Sequence, residues 1–185
     1  MTNRGFTLID LLVTLSITAI ILAVGVPSFF DFIEKNRTTL AVNKMVGAIN
    51  FARVEAISYG QTVTLCPQLE ELHCGKDWST GVIVFIDREA NGKIDEADQV
   101  IRVFESFTKG SAAKWSSFGS NNYLRFRADG STINQNGSFT YCPSNGNEKF
   151  AHQIVVNRTG RVRLAKDSDD DGIKENTKGK NISCS

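Results

Sequence analysis

The chain opens on its longest apolar run. From Phe6 to Val26 the only charged residue is Asp10, and most positions are Leu, Ile, Val or Ala. About 20 such residues make a helix long enough to cross a bilayer. Gly25 and Pro27 loosen a helix without having to end it. Beyond them Val42, Met45, Ile49, Ala52 and Ala56 recur at three- and four-residue steps, the apolar face of an amphipathic helix. Asn36, Arg37, Asn43, Lys44, Asn50, Arg53 and Glu55 take the other faces. The pattern predicts one helix from Phe6 to about Ser58, stopped at Gly60. At 1.5 Å per residue it would be on the order of 80 Å long, far beyond what a bilayer needs.

From Gln61 the period changes to two. Short β-branched or aromatic runs at 61–66, 81–86, 100–107, 123–127, 138–142, 153–156 and 160–164 are separated by Asn91-Gly92, Asp129-Gly130, Asn136-Gly137 and Asn145-Gly146. These read as strands and turns. Leu124-Arg125-Phe126-Arg127 and Arg161-Val162-Arg163-Leu164 alternate strictly, so each is expected to put one face on the core and one in water. The expected fold is α+β, a long helix laid against antiparallel sheet.

At 185 residues the chain suits one membrane segment and one domain with its own core. The net charge of +1 says little about partners. Cys66, Cys74, Cys142 and Cys184 all lie beyond the apolar run, with no zinc-like spacing, which favours disulfides in an exported domain. Three pairings are open; proximity favours Cys66 with Cys74, leaving Cys142 to tie down Cys184. Asp10 is the anomaly, because a carboxylate inside a membrane helix costs several kcal/mol unless it is paired. A new amino terminus created by cutting after Gly5 would supply a positive partner on a neighbouring copy. A secretory signal would instead show a shorter apolar core and a small-residue cleavage site after it.

Gly5-Phe6-Thr7-Leu8-Ile9-Asp10-Leu11-Leu12 resembles the class III signal of type IV prepilins and type II secretion pseudopilins. The resemblance implies cleavage between Gly5 and Phe6 by a prepilin peptidase, N-methylation of Phe6, and an assembly role for Asp10, where the family usually carries Glu. Further along, the blocks Phe51–Ile57, Val63–Cys66, Trp78–Asp87, Leu124–Phe126 with Gly130, Gly137–Cys142, Ile154–Val156 and Thr159–Arg163 are similar to the H-type pseudopilin and FimT/FimU minor pilin family. The implied fold is type IV pilin-like. Its expected parts are a leader at 1–5, a transmembrane and filament-core helix at 6–27, an amphipathic helix at 28–60, and a β-rich head at 61–185 with an acidic tail at 167–175.

Between Arg125 and Lys166 seven Lys or Arg face only Asp129 and Glu148. Arg158, Arg161, Arg163 and Lys166 form its densest part; on a strand, Arg161 and Arg163 would share a face and straddle a phosphate backbone. In FimT-type members a Gly-Arg-x-Arg element is associated with DNA capture, and Gly160-Arg161-Val162-Arg163 matches it. The bland reading is a solvated or subunit-facing strand, and the acids from Asp167 to Glu175 would repel DNA.

Two stretches have calcium-like spacing. Asp87, Glu89, Asn91, Asp95 and Asp98 stand at positions 1, 3, 5, 9 and 12 of a loop with Gly92 at 6. Asp167-x-Asp169-x-Asp171-Gly172 repeats the first half, but its twelfth position is Lys178. A hairpin turn is the simpler reading of the first, and nothing else in the chain asks for a cofactor. Trp78 and Trp115 read as core or subunit-interface residues, and His73 and His152 as surface or edge residues. No G-x-S-x-G, phosphate-binding loop or H-E-x-x-H occurs, so catalysis has no support.

The expected function is that of a minor type IV pilin, a filament subunit rather than an enzyme, which helps initiate pilus assembly and supports twitching, adhesion or DNA uptake. The rivals are a DNA-binding minor pilin acting through Gly160–Arg163 and an H-type pseudopilin of a type II secretion system. Expected partners are other pilins or pseudopilins, the peptidase, the inner-membrane assembly machinery and, for the first rival, double-stranded DNA. The chain would sit in the bacterial inner membrane before assembly and in a pilus or pseudopilus after it.

Overall fold

The computed structural model describes residues 7–69, 72–106, 110–119, 122–132 and 134–184. Its first element is the helix α1, Leu8–Tyr59, with Pro27 inside it. Two compact units divide the chain between Asn36 and Arg37.

In the first unit the apolar run is exposed along its length. Leu8, Ile9, Ile20, Ile21, Val24, Phe29, Phe30 and Phe32 are each more than 60% accessible. The helix is long and apolar enough to cross a membrane. Thr7 caps it: the Thr7 hydroxyl and amide both donate to Asp10 Oδ2, at 2.8 and 3.1 Å, and the Asp10 amide donates back to Thr7 Oγ1 at 3.2 Å. This is a reciprocal capping box, with Asp in place of the usual Glu or Gln.

In the second unit α1 buries Thr38, Ala41, Val42, Met45, Ala48, Ile49, Ala52 and Ala56. The expected face is thus the buried one. Among the described residues eight strands follow: β1 Val63–Pro67, β2 Gly81–Ile86, β3 Gln99–Glu105, β4 Ala112–Ser117, β5 Leu124–Phe126, β6 Gly137–Cys142, β7 His152–Val156 and β8 Val162–Leu164. They form two antiparallel sheets, ordered β3-β2-β1-β5 and β4-β6-β7-β8. One core joins the helix face to both, through Val63, Leu65, Val82, Val84 and Ile86 on one side and Trp115, Phe139, Ile154 and Val156 on the other. Trp78 meets Phe139 edge-on and Trp115 stacks on it, with ring centroids 4.7 and 4.3 Å apart, so both tryptophans belong to this core.

β2 is buried on both faces, which explains its unbroken apolar run. Val82, Val84 and Ile86 meet the helix, while Ile83 and Phe85 pack with Cys66, Cys74, Ile94, Val100, Val103 and Tyr123 behind the sheet.

The structure corrects the expected strands in three places. β4 was not legible, because Ala-Ala-Lys-Trp-Ser-Ser has weak strand propensity and forms through pairing with β6 and burial of Trp115. β8 begins at Val162 rather than Gly160, since Gly160 sits in a turn at φ +74°. The alternating faces are not simply core and water: Arg125 Nε and Nη1 are shut off from solvent, its guanidinium 5.4 Å from the Tyr123 ring, and Leu164 is 42% exposed on its edge strand.

Disulfides join Cys66 to Cys74 and Cys142 to Cys184. The second fastens the tail, whose Ile182 packs with Ala151 and Ala165. It spans 42 residues, so replacing both of its cysteines by Ser is expected to cost about 4 kcal/mol by loop entropy. The Cys66–Cys74 bridge spans 8, and its loss is expected to cost about 2.5 kcal/mol by the same relation. Denaturant unfolding of the full chain in detergent checks both the sizes and their order.

Candidate functional site

The candidate surface of the head lies around β8 and the tail that follows it. At the turn before β8, Asn157 Oδ1 accepts from the Arg161 amide at 2.9 Å, and the Gly160 amide donates to Asn157 O at 3.0 Å. A Cβ at Gly160 would run into Gly130 O, and Gly130 O already accepts from Arg53 Nε of α1 at 3.0 Å. The Thr132 amide donates to Arg158 O at 3.0 Å. The turn of one sheet is thus held against the turn of the other by helix and glycine together. Arg158, Arg161, Arg163 and Lys166 are all exposed on this hairpin and its exit. Arg163 stands opposite Val155 within β8, while Arg161 precedes the strand.

A cavity of about 680 Å³ runs beside β7 and β8, lined by Arg163 and Lys166 and also by Asp169 and Glu175. The basic residues therefore share their groove with acids, as the sequence order warned. Gln153 ties the tail to the sheet: its side chain accepts from the Thr177 amide at 3.0 Å and donates to Thr140 Oγ1 at 3.1 Å.

In the tail, Asp167, Asp169 and Glu175 bring carboxylate oxygens within 4.8 Å of one another. The Ser168 amide donates to Glu175 at 3.0 Å and holds its carboxyl below the usual range. For Asp169 the Asp171 amide pulls in the same direction, but desolvation and the charges of Asp171, Glu175 and Asp167 outweigh it and raise the carboxyl.

The other calcium-like loop, 87–98, spends its oxygens on itself. Asp87 is fully buried and accepts from Thr64 Oγ1 at 2.7 Å, from the Asn91 amide at 3.0 Å and from the Gly92 amide at 2.9 Å. Asp98 accepts from the Arg88 and Asp95 amides, and Asn91 Nδ2 donates to Glu89 and Asp95. Gly92, at φ +77°, leaves room for the Tyr123 ring over the turn. Asp87 is the anchor of a hairpin loop, a role its spacing alone did not reveal.

Gly5 and Phe6, the expected cleavage pair, lie outside the described residues. Asp10 is exposed on α1, and in the single chain its Oδ2 is taken up by Thr7. Sequence reading passed over Thr7 although Thr-x-x-Asp before an apolar run is the signature of such a cap. His73 is exposed, but His152 is half-buried at the start of β7 rather than on the surface.

An exposed apolar helix start followed by a disulfide-bonded head of helix and antiparallel sheet defines a pilin-like subunit. The comparisons agree. A family model described as Type II transport protein GspH matches residues 41–160. Among solved structures, the type IV minor pilin FimU of Pseudomonas aeruginosa superposes with a TM-score of 0.58 at 23% identity, covering 73% of this chain and 92% of that one. The minor pseudopilin EpsH of the Vibrio cholerae type II secretion system gives 0.51 at 11% identity, covering 74% and 99%. GspH of E. coli gives 0.50 at 12%, covering 74% and 93%. At these identities the structural likenesses carry the fold alone. Comparison with curated proteins finds no relative. The family match spans most of the chain, and the chain belongs to the GspH family of minor pilins and H-type pseudopilins. It is a structural subunit of the pilin class and not an enzyme.

Two outcomes follow from this geometry. Gly160→Ala forces a side chain into Gly130 O at a positive φ, and is expected to destabilise the head by at least about 2 kcal/mol in denaturant unfolding. Burial, then the charge of Lys174, pushes His152 from 6.5 down to about 4. Above pH 6.5 the ring is neutral folded or unfolded and contributes nothing. As pH falls from 6.5 towards 4, the unfolded chain takes up a proton that the folded one refuses, and stability drops. The loss has an upper bound of about 3 kcal/mol, cut by solvent screening at a half-buried ring. His152→Gln is expected to remove that slope from unfolding midpoints measured between pH 4 and 7.

Proposed function

We propose that the chain is a minor type IV pilin that helps initiate pilus assembly. The observation that carries the reading is the exposed apolar half of α1 with Asp10 near its start. Such a surface is covered by lipid before assembly and by other subunits' helices after it. Cleavage after Gly5 by a prepilin peptidase would leave Phe6 with a free amine at the head of the helix. Asp10 of one copy then neutralises the amine of the next, while Thr7 holds the carboxylate in the unassembled chain. FimU, a type IV minor pilin, shares this fold, as does the secretion pseudopilin EpsH, so the fold accommodates the pilus reading and keeps the secretion pseudopilus as its rival. The unassembled chain sits in the inner membrane with its head on the outer side, and reaches the filament through the membrane assembly machinery.

Asp10→Ala is expected to leave the membrane form intact while reducing recovery in sheared filaments at least tenfold. Asp10→Glu, which keeps the charge, is expected to restore it. Equal recovery of all three forms contradicts the pairing.

A second reading is favoured by the exposure of Arg158, Arg161, Arg163 and Lys166 on one hairpin: the head binds duplex DNA through its phosphates. The reading expects binding that weakens steeply with salt, and that falls at least about tenfold in the Arg161→Gln, Arg163→Gln double variant. Binding that survives both replacements removes these residues from the role.

A further inference from the structure

We propose that the outer face of the second sheet binds a phosphorylated sugar. The proposal goes beyond the filament role and does not depend on it. Alternation along the strands builds the site. Trp115, Phe139 and Ile154 turn into the core, so Lys114 and Ser116 of β4, Ser138 and Thr140 of β6 and Gln153 of β7 stand on the other face. The register joins them into two rows. Ser116 lies opposite Ser138, and Thr140 lies between Lys114 and Gln153. The tail crosses this face and brings Lys178 to it, held by the Cys142–Cys184 disulfide and by the Thr177 amide on Gln153. Sheet and tail enclose a cavity of about 380 Å³, at the small end of the roughly 300–1,000 Å³ range of ligand sites.

The side chains around this cavity set the chemistry of its ligand. Ser138 is only 8% exposed, and it lines the cavity with no hydrogen-bond partner for its hydroxyl among the described residues. Buried polar groups are ordinarily paired, so an unpaired one turned into a cavity points to a partner that arrives with a ligand. The groups left to bind are donors. Thr140 Oγ1 accepts from Gln153 Nε2 at 3.1 Å, which leaves its own proton to give. Lys114 and Lys178 add two ammonium groups, and no carboxylate lines the cavity among the described residues. The neighbouring groove differs on this point, because Asp169 and Glu175 stand there beside Arg163 and Lys166.

Two ammonium groups with hydroxyl donors between them match a phosphomonoester, which carries a charge of about −2 and three acceptor oxygens near neutral pH. Lysines act as point charges and lack the planar fork that would favour a carboxylate. No aromatic or large aliphatic side chain lines the cavity among the described residues, and Ser116 and Gln153 offer hydroxyl and amide partners instead. The remainder of the ligand is therefore rich in hydroxyls, as a sugar is.

The test is calorimetric titration of glucose 6-phosphate into the full chain in detergent micelles. One saturable site is expected, with a dissociation constant of about 0.1–1 mM, as befits a ligand of few atoms. Neutral glucose, which lacks the charge, and inorganic phosphate, which lacks the sugar contacts, are each expected to bind at least about tenfold more weakly. Lys114→Gln and Lys178→Gln should each weaken binding about tenfold. Ser138→Ala should weaken it about threefold while far-ultraviolet circular dichroism stays unchanged. Lys76→Gln, just past the Cys66–Cys74 loop, should leave it intact. Absence of saturable binding up to about ten times the upper end of that range overturns the proposal. So does inorganic phosphate or glucose binding as tightly as the sugar phosphate. Binding that persists in all three cavity variants, or that is lost in Lys76→Gln, overturns it as well.

Discussion

A row of large apolar side chains that the chain cannot cover by itself constrains everything else about it. Leu8 to Phe32 leave Leu, Ile, Val and Phe side chains more than half exposed on most turns of α1. Each full burial of such a side chain is worth about 1.5–3 kcal/mol. Over this length the drive to lie in lipid or against other helices exceeds the 5–15 kcal/mol that stabilises a typical domain. The helix must therefore be hosted, first by a membrane and then by its own kind. The charge of Asp10 is tolerable in both hosts only if it has a partner, and the Thr7 cap is the partner a lone chain can offer.

The second half of the same helix meets the opposite condition. Its buried face is built from Ala41, Ala48, Ala52 and Ala56 between Val42, Met45 and Ile49. Small residues let both sheets contribute to one core, and Arg53 and Gly160 then bring a turn of each sheet together at Gly130. The basic hairpin is displayed from that junction, and the stapled tail with its acidic loop lies beside it. Surface chemistry in the head is thus carried on turns and a tail, while helix and strands give rigidity.

Most of the fold was legible because its periods are strong. The apolar face from Val42 to Ala56 and the unbroken run of β2 lie where pattern placed them. What escaped notice depends on tertiary context. β4 carries one apolar anchor, Trp115, whose partner Phe139 is over twenty residues away in sequence. Arg125 alternates like a surface residue, yet its guanidinium lies against the Tyr123 ring with two of its nitrogens shut off from solvent. The candidate site was legible in kind and misread in detail. Charge counting found the basic hairpin, but not that Gly160 shortens β8. Spacing flagged both acidic loops, whereas hydrogen-bond accounting shows both oxygens engaged in Asp87, Asp95 and Asp98 of the first and in Asp171 and Glu175 of the second.

The central claim is that the apolar helix start becomes a filament interface once the leader is removed. The measurement that tests it most directly is the intact mass of this subunit recovered from sheared, washed filaments. The account predicts a chain beginning at Phe6, heavier by one CH2 because a methyl replaces an amine hydrogen, and lighter by two hydrogens for each of the two disulfides. Recovery of a chain that still carries Met1 to Gly5, or consistent absence of the subunit from filaments of cells that express it, would contradict the account.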